Sequence, residues 1–278
     1  ARVQFVGTGP GDPNLLTLGA VDAINRAQVI VISCAEHRML LGSDFLELRP
    51  DVRIVLAGDA DEEAVALPSQ PGGAPTPVDV DEHCTDLIAT VIEAASQGLE
   101  VVRLVSGDPF LDGDIGAEAA AVARADHDVD VIPGVTGMTA VPEYAGLILH
   151  GHDVQLIGDA ACQRDIAGHG PDWSDQGLIV VHTSAGKLKE IVKHAVASGR
   201  SEDEPAALIC HGATTQQITH TVTLGALPQT AKTARLDSAE PVHVAIGKVV
   251  EAPDREQLDW YESKPLFGWN ILIPRTRD

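Results

Sequence analysis

Short apolar runs separated by longer amphipathic stretches recur along most of the chain, and this alternation constrains the fold more than any other feature. Strand-length segments divided by helix-length ones imply βα units, and so a largely parallel sheet with helices packed on it. In the first half the spacing predicts strands at Val3–Val6, Val29–Ile32, Arg53–Leu56, Val101–Val105 and Val129–Ile132, with helices over Asn14–Arg26, Glu82–Gln97 and Ile115–Arg124. Asp12-Pro13 offers the first helix an N-cap followed by proline at its first position, and Leu15, Leu18 and Ile24 are expected near one face. Beyond Pro133-Gly134, helices over Thr136–Ala145 and Lys187–Ser198 alternate with strands at Val154–Ile157, Leu178–Val181, Ala206–Ile209, His220–Thr223 and Val242–Ile246. Gly199 follows the second of these helices as a C′ glycine. The alternation in His220-Thr221-Val222-Thr223, with a turn at Gly225, suits antiparallel pairing. The expected architecture is therefore α/β in two domains, 1–134 with a parallel-rich sheet and 135–252 with a mixed one. The proline- and glycine-rich Pro68–Pro77 is expected to be a loop.

Charge and cysteine usage exclude several classes of partner. With 19 Lys and Arg against 41 Asp and Glu, the net charge of −22 would repel a phosphate backbone, so nucleic acid is not expected. No apolar run approaches the roughly 18 residues needed to span a bilayer, and the opening ARVQFVGTGP lacks the basic and then apolar layout of a signal peptide. A membrane is not expected, and the cytoplasm is the expected location. Cys34, Cys84, Cys162 and Cys210 lie far apart without a CxxC pair. His150, His152, His182 and His211 lack an HxxxH or HExxH spacing, so no metal site is expected.

The glycine-rich turn Gly7-Thr8-Gly9-Pro10-Gly11-Asp12 follows the first strand, where a dinucleotide fingerprint would sit. It does not fit one. Asp12 stands where the third glycine is required and would oppose a pyrophosphate, and Pro10 removes a backbone donor. The longer string Val6-Gly-Thr-Gly-Pro-Gly-Asp-Pro-Asn-Leu-Leu-Thr-Leu18 is more specific, and five further segments follow it in order. They are Val102-Arg-Leu-Val-Ser-Gly-Asp-Pro-Phe110, Val131-Ile-Pro-Gly-Val-Thr136, Tyr144-Ala-Gly-Leu147, Ala213-Thr-Thr-Gln-Gln217 and Ile246-Gly-Lys-Val249. Together these segments resemble the tetrapyrrole methylases, most of all the uroporphyrinogen-III C-methyltransferases and their relatives in cobalamin synthesis.

The resemblance implies a fold of two α/β domains with a cleft between them for S-adenosyl-L-methionine. It maps the cofactor contacts onto Pro10, Ser106, Gly107, Asp108, Thr136, Gly137, Gly212 and Ala245, with Thr183 where the family usually has a methionine contact. The residues agree with that implication, because Ser106-Gly107-Asp108-Pro109 leaves a buried strand into a tight turn at the carboxyl edge of a sheet, where open α/β sheets bind ligands. The acceptor side departs from the family. Ser33 stands at the usual Asp after the second strand, Asp59 at the usual Lys of a Gly-Lys-Arg turn, and Asp114 at the usual Arg after the Gly-Asp-Pro turn. Uroporphyrinogen carries a ring of carboxylates, and a unit charge pair at about 4 Å and an effective dielectric of about 20 interacts by about 4 kcal/mol. Reversing one such contact would weaken binding strongly unless another cation substitutes, for which Arg103, Lys187 and Lys189 are candidates.

The close of the chain, Leu258 to Asp278, resembles the junction at which uroporphyrinogen-III synthase follows the methylase in fused proteins, with Asn270-Ile-Leu-Ile-Pro-Arg-Thr as the synthase's first strand. Residues 253–278 are accordingly expected to be a linker, helped by Pro265 and Gly268, or else a terminal strand covering a sheet edge. Three functions are open at this point: a uroporphyrinogen-III methyltransferase domain, a degenerate methylase serving as scaffold or dimerisation module, and a methylase of another acceptor. A homodimer is implied by the family.

Overall fold

The computed structural model describes residues 1–57, 82–84, 86–159, 161, 173–252 and 255–269. Asp59, the loop Pro68–Pro77 and the run from Asn270 onward lie outside the described residues. The chain divides into two compact units, one over Ala1–Val135 and one over Thr136–Gly268.

The first unit is built on a sheet of six parallel strands, β1 (Arg2–Gly7), β2 (Val29–Ile32), β3 (Arg53–Ala57), β4 (Glu82–Cys84), β5 (Val101–Val105) and β6 (Asp128–Ile132), in the order β4-β3-β2-β5-β1-β6. Near-continuous apolar runs such as VIVI and VVRLV form its centre because helices cover both faces. On one face Val3, Phe5, Val31 and Val101 pack with Val91 and Ala95 of α3 (Leu87–Ser96) and Val122 of α4 (Gly116–Arg124). On the other, Val6, Ile30, Ile32 and Leu104 pack with Ala20, Ala23 and Ile24 of α1 (Leu18–Arg26).

The stretch expected as one helix from Asn14 is interrupted. Asp12 caps only a 3-10 turn, Pro13–Leu15, and Thr17 caps α1, its Oγ1 accepting from Ala20 N at 3.1 Å. Leu18 is 89% exposed, because at about 100° per residue it lies some 240° around the helix from Ile24. The segment Glu82–Gln97 likewise begins as strand β4, and α3 starts only after Asp86, whose carboxylate accepts from Ala89 N at 2.9 Å. Helix α2 (Ala35–Leu41) follows Cys34, which makes no side-chain cap, so the usual sequence signal for a helix start is missing.

The second unit holds a five-stranded mixed sheet of β7 (Val154–Ile157), β8 (Leu178–Ser184), β9 (Pro205–Cys210), β10 (Ile218–Thr223) and β11 (Pro241–Ile246), in the order β10-β9-β11-β8-β7. Strand β7 runs parallel to β8, and the other pairs are antiparallel. Ile179, Val181, Leu208 and Val244 face Leu188 and Ile191 of α6 (Leu188–Ala197) and Leu227 of α7 (Leu227–Thr233). Helix α6 stops at Gly199, whose φ of 102° suits glycine. Helix α5 (Gly137–Tyr144) packs on β8 and β11. Part of the stretch read as linker is also packed. The ring of Tyr144 lies 5.0 Å from that of Trp260 and 4.5 Å from that of Tyr261, Trp260 Nε1 donates to Glu143 O at 3.0 Å, and Glu262 accepts from Gln217 Nε2 at 2.9 Å and Thr219 N at 3.2 Å.

Three glycines govern the carboxyl edge of the first sheet. A Cβ on Gly134 would sit 2.1 Å from Gly107 O and 2.9 Å from Gly7 Cα, and one on Gly7 would meet Gly134 N at 2.5 Å. The obstructing atoms are backbone and cannot rotate away. Gly134→Ala is therefore expected to cost about 3 kcal/mol and lower the melting temperature by about 6–10 °C. Gly98→Ala, at φ +82° with nothing within 4 Å of the new methyl, should cost only about 1 kcal/mol. Equal melting temperatures for the two variants would contradict the close approach.

Candidate functional site

The loops after β1 and β5 meet at the carboxyl edge of the first unit and are joined by their backbones. Gly107 N donates to Gly9 O at 2.8 Å, Gly9 N to Gly107 O at 3.3 Å, and Thr8 N to Val105 O at 2.9 Å. Gly107 has a φ of 67°, and a Cβ there would lie 2.1 Å from an Asp112 oxygen, so this turn requires glycine. Pro10 follows the bridge and is half-buried. The Asp108 carboxylate is fully engaged in shaping the turn, accepting from Phe110 N at 2.9 Å, Leu111 N at 3.1 Å and Gly134 N at 3.3 Å. Asp112 returns the favour by accepting from Asp108 N at 2.7 Å. Pro10, Ser106, Gly107 and Asp108 are thus one assembly in which Ser106 carries the exposed side-chain hydroxyl.

Behind Ser106 lies a polar cluster that no motif announced. His37 of α2 is 2% exposed, and its Nε2 lies 3.2 Å from Ser106 Oγ and 3.4 Å from Thr8 Oγ1. Burial, with Arg103 nearby, lowers the His37 pKa to about 3 and keeps the ring neutral. Cys34 Sγ lies 3.7 Å from Ser106 Oγ, and burial pushes that thiol up to about 11, so it is not a ready nucleophile.

Of the acceptor-side positions, Ser33 and Asp114 fall among the described residues. Arg103 Nη1 donates to Ser33 Oγ at 3.1 Å and also to Leu104 O, and Arg103 Nε pairs with Glu118 at 3.2 Å. Asp114 is exposed ahead of α4. Of the cations considered as substitutes, Arg103 is buried in this pairing and Lys187 donates to Asp159 at 2.9 Å, while Lys189 stands exposed on α6.

In the second unit four candidates gather around α5. Thr136 caps it, Oγ1 accepting from Met138 N at 3.1 Å, and Gly137 opens its first turn. Gly212 faces its flank, since a Cβ there would meet Val141 Cγ1 at 2.4 Å. The residues beside Gly212, His211 at φ 49° and Ala213 at φ 57°, hold left-handed conformations that are uncommon without glycine. Gln217, 1% exposed, supports this bend by accepting from Ala213 N at 2.7 Å. Ala245, paired in register with Val180 and Ala207, alternates with Val244 and Ile246 and so lies on the α5 face of the sheet. Thr183 stands apart. It alternates with Ile179 and Val181 toward the opposite face, and its hydroxyl donates to Asp159 at 3.2 Å. On the α5 face His182 and His243 are register partners whose rings stack 4.6 Å apart, and burial, then His182, holds His243 well below the usual histidine range.

Among the described residues no helix is long and apolar enough to cross a membrane, and no group of three or more His, Cys, Asp or Glu could hold a metal ion. The family model of the Tetrapyrrole (Corrin/Porphyrin) Methylases matches residues 2–228. A uroporphyrinogen-III C-methyltransferase from Sinorhizobium sp is 33% identical over 266 residues, which are 93% of this chain and 86% of that protein. Siroheme synthase 1 from Serratia proteamaculans is 32% identical over 272 residues, 95% of this chain and 51% of that protein, so the chain spans about half the length of that relative. Among solved structures, a cobalt precorrin-4 methyltransferase matches with a TM-score of 0.67 at 19% identity, covering 90% of this chain and 95% of that one. The uroporphyrin-III C-methyl transferase of Thermus thermophilus complexed with S-adenyl homocysteine matches at 0.58 and 24%, covering 90% and 93%. These structures share the fold.

A neutral histidine in the folded state makes stability depend on acid. Between the ordinary value of 6.5 and about 3, the unfolded chain binds a proton at His37 that the folded chain does not, so stability falls as pH falls through that window. His37→Gln removes this contribution, and the wild type should lose on the order of 2 kcal/mol more than the variant between pH 7 and pH 4. Parallel melting profiles for the two proteins would show that His37 is not buried neutral.

Proposed function

We propose that this chain, which belongs to the tetrapyrrole (corrin/porphyrin) methylase family, is an S-adenosyl-L-methionine-dependent methyltransferase acting on a carbon of uroporphyrinogen III or a closely related tetrapyrrole. The observation that carries this reading is the 33% identity to a uroporphyrinogen-III C-methyltransferase across 86% of that protein. We assign the cofactor to Pro10, Ser106, Gly107 and Asp108 on the first unit and to Thr136, Gly137, Gly212 and Ala245 on the second, and drop Thr183, whose side chain lies on the opposite face of its sheet and bonds Asp159. The residues suit such a ligand. A glycine turn stripped of side chains lets a ligand reach backbone, Ser106 offers an exposed hydroxyl, and strained left-handed residues flank Gly212, a pattern typical of ligand contacts.

The cofactor supplies an electrophilic methyl on a sulfonium, and the chain's task is alignment of an acceptor carbon that must also lose a proton. Asp108 holds the turn in one shape by anchoring three backbone N–H groups. His37 is unsuited as the base, because a ring with a pKa of about 3 has little affinity for a proton near neutrality. The proton acceptor is not among Ser33 and Arg103, which bond to each other. The same kinship leads us to place the protein in the cytoplasm as a homodimer, and to read the run from Asn270 as the start of a following uroporphyrinogen-III synthase domain.

A second reading, a degenerate methylase that binds cofactor and serves as a scaffold, is favoured by Ser33 and Asp114 at positions where the family is acidic and basic. Titration with S-adenosyl-L-methionine by calorimetry, followed by an assay of methyl transfer to uroporphyrinogen III, separates the two. Saturable heat with transfer is the expected result. Heat without transfer would support the scaffold, and no heat at about 1 mM cofactor would overturn both. Asp108→Ala, which releases three N–H groups, is expected to weaken cofactor binding by about tenfold or more.

A further inference from the structure

We propose that His37 is a positioning residue that fixes the Ser106 hydroxyl as a hydrogen-bond donor toward an oxygen of the S-adenosyl ligand. The inference rests on the cofactor assignment above and adds a residue that touches neither ligand nor reacting atoms.

The direction of each hydrogen bond follows from the hydroxyl that has no choice. Thr8 Oγ1 donates its single hydrogen to Val105 O at 3.2 Å, so its 3.4 Å contact with His37 Nε2 is attractive only if that nitrogen carries the proton. Ring burial supports the same tautomer. Among the described residues Nδ1 has no hydrogen-bond partner, and a buried lone pair without a partner is better tolerated than a buried N–H without one. With the proton on Nε2, Ser106 Oγ at 3.2 Å accepts from the ring as well. Its own hydrogen is then unused within the bond to histidine and is left for a group at the open edge of the sheet. Among the described residues this hydroxyl's other polar neighbour is Cys34 Sγ at 3.7 Å, a weak sulfur partner that a ligand oxygen would displace. A charged ring would offer the same Nε2 proton, but burial keeps it neutral, so the Ser106 hydroxyl is held without an added charge behind it.

Placement makes the arrangement effective. Ser106 follows β5, which lies between β2 and β1, and His37 rises from the helix after β2, so the donor is braced by the neighbouring strand's connection. Gly107, the next residue, is locked to Gly9 by two backbone bonds, which leaves rotation of the Ser106 side chain as the freedom that His37 removes.

The test is a double-mutant cycle read by calorimetric binding of S-adenosylhomocysteine to the full chain, with melting temperatures measured in parallel. His37→Met keeps volume and removes the donor, and should weaken binding about 3–10-fold, while His37→Gln, which restores an N–H, should recover to within about twofold of wild type. In a Ser106→Ala background, His37→Met should have no further effect on binding. An equal loss in both backgrounds would make His37 merely structural and overturn the proposal. Nitrogen-15 NMR of the wild-type imidazole gives a reading that survives if His37→Met fails to fold: the Nε2–H tautomer is expected, and an Nδ1–H tautomer would overturn the proposal. Absence of binding by the wild type overturns the cofactor reading and this inference with it. Binding that is indifferent to His37 overturns this inference alone.

Discussion

The first unit depends on a contact made by the absence of side chains. Gly7, Gly107 and Gly134 end three adjacent strands or open their loops, and their backbones lie so close that a methyl added to Gly7 or Gly134 would overlap a neighbour's carbonyl oxygen or backbone atoms. That closeness lets Gly9 and Gly107 exchange two backbone hydrogen bonds and brings Gly134 N to Asp108. Each loop is then held by the other two rather than by side-chain packing. The edge that results offers main chain and the Ser106 hydroxyl, groups suited to a small polar ligand.

How much of this was legible depended on whether the controlling interaction was local. Strands β2 and β5 were read at their true limits because residues buried on both faces leave an unbroken apolar run. The start of α1 was misplaced because Asp12 and Thr17 both carry N-cap chemistry, and nothing local says that the first serves only a 3-10 turn. Helix α2 gave no signal, lacking a capping side chain at Cys34. In the same way, the Ser-Gly-Asp-Pro turn was visible as a motif, whereas the bond from Gly134 N to Asp108 and the burial of His37 behind Ser106 depend on residues tens of positions away. Thr183 and Ala245 were grouped by motif order, yet a strand alternates its side chains, and the two face opposite sides of the second sheet.

Two of the cations weighed as partners for a carboxylated ligand are already committed in ion pairs. A missing cation could have been replaced by Arg103 or Lys187, but each is already neutralised, by Glu118 and Asp159 respectively. Arg103 is also nearly enclosed, so freeing it for a carboxylated ligand would strand Glu118 without its partner, an expensive exchange.

Among the described residues strand β10 ends the second sheet, paired with β9 alone. There Glu262 takes the outward amide of Thr219, and its other oxygen holds Gln217. A single carboxylate from the far end of the chain thus occupies a donor that a foreign strand would otherwise use. The segment that reads in sequence as a connector covers part of a strand edge of the kind that invites edge-to-edge aggregation.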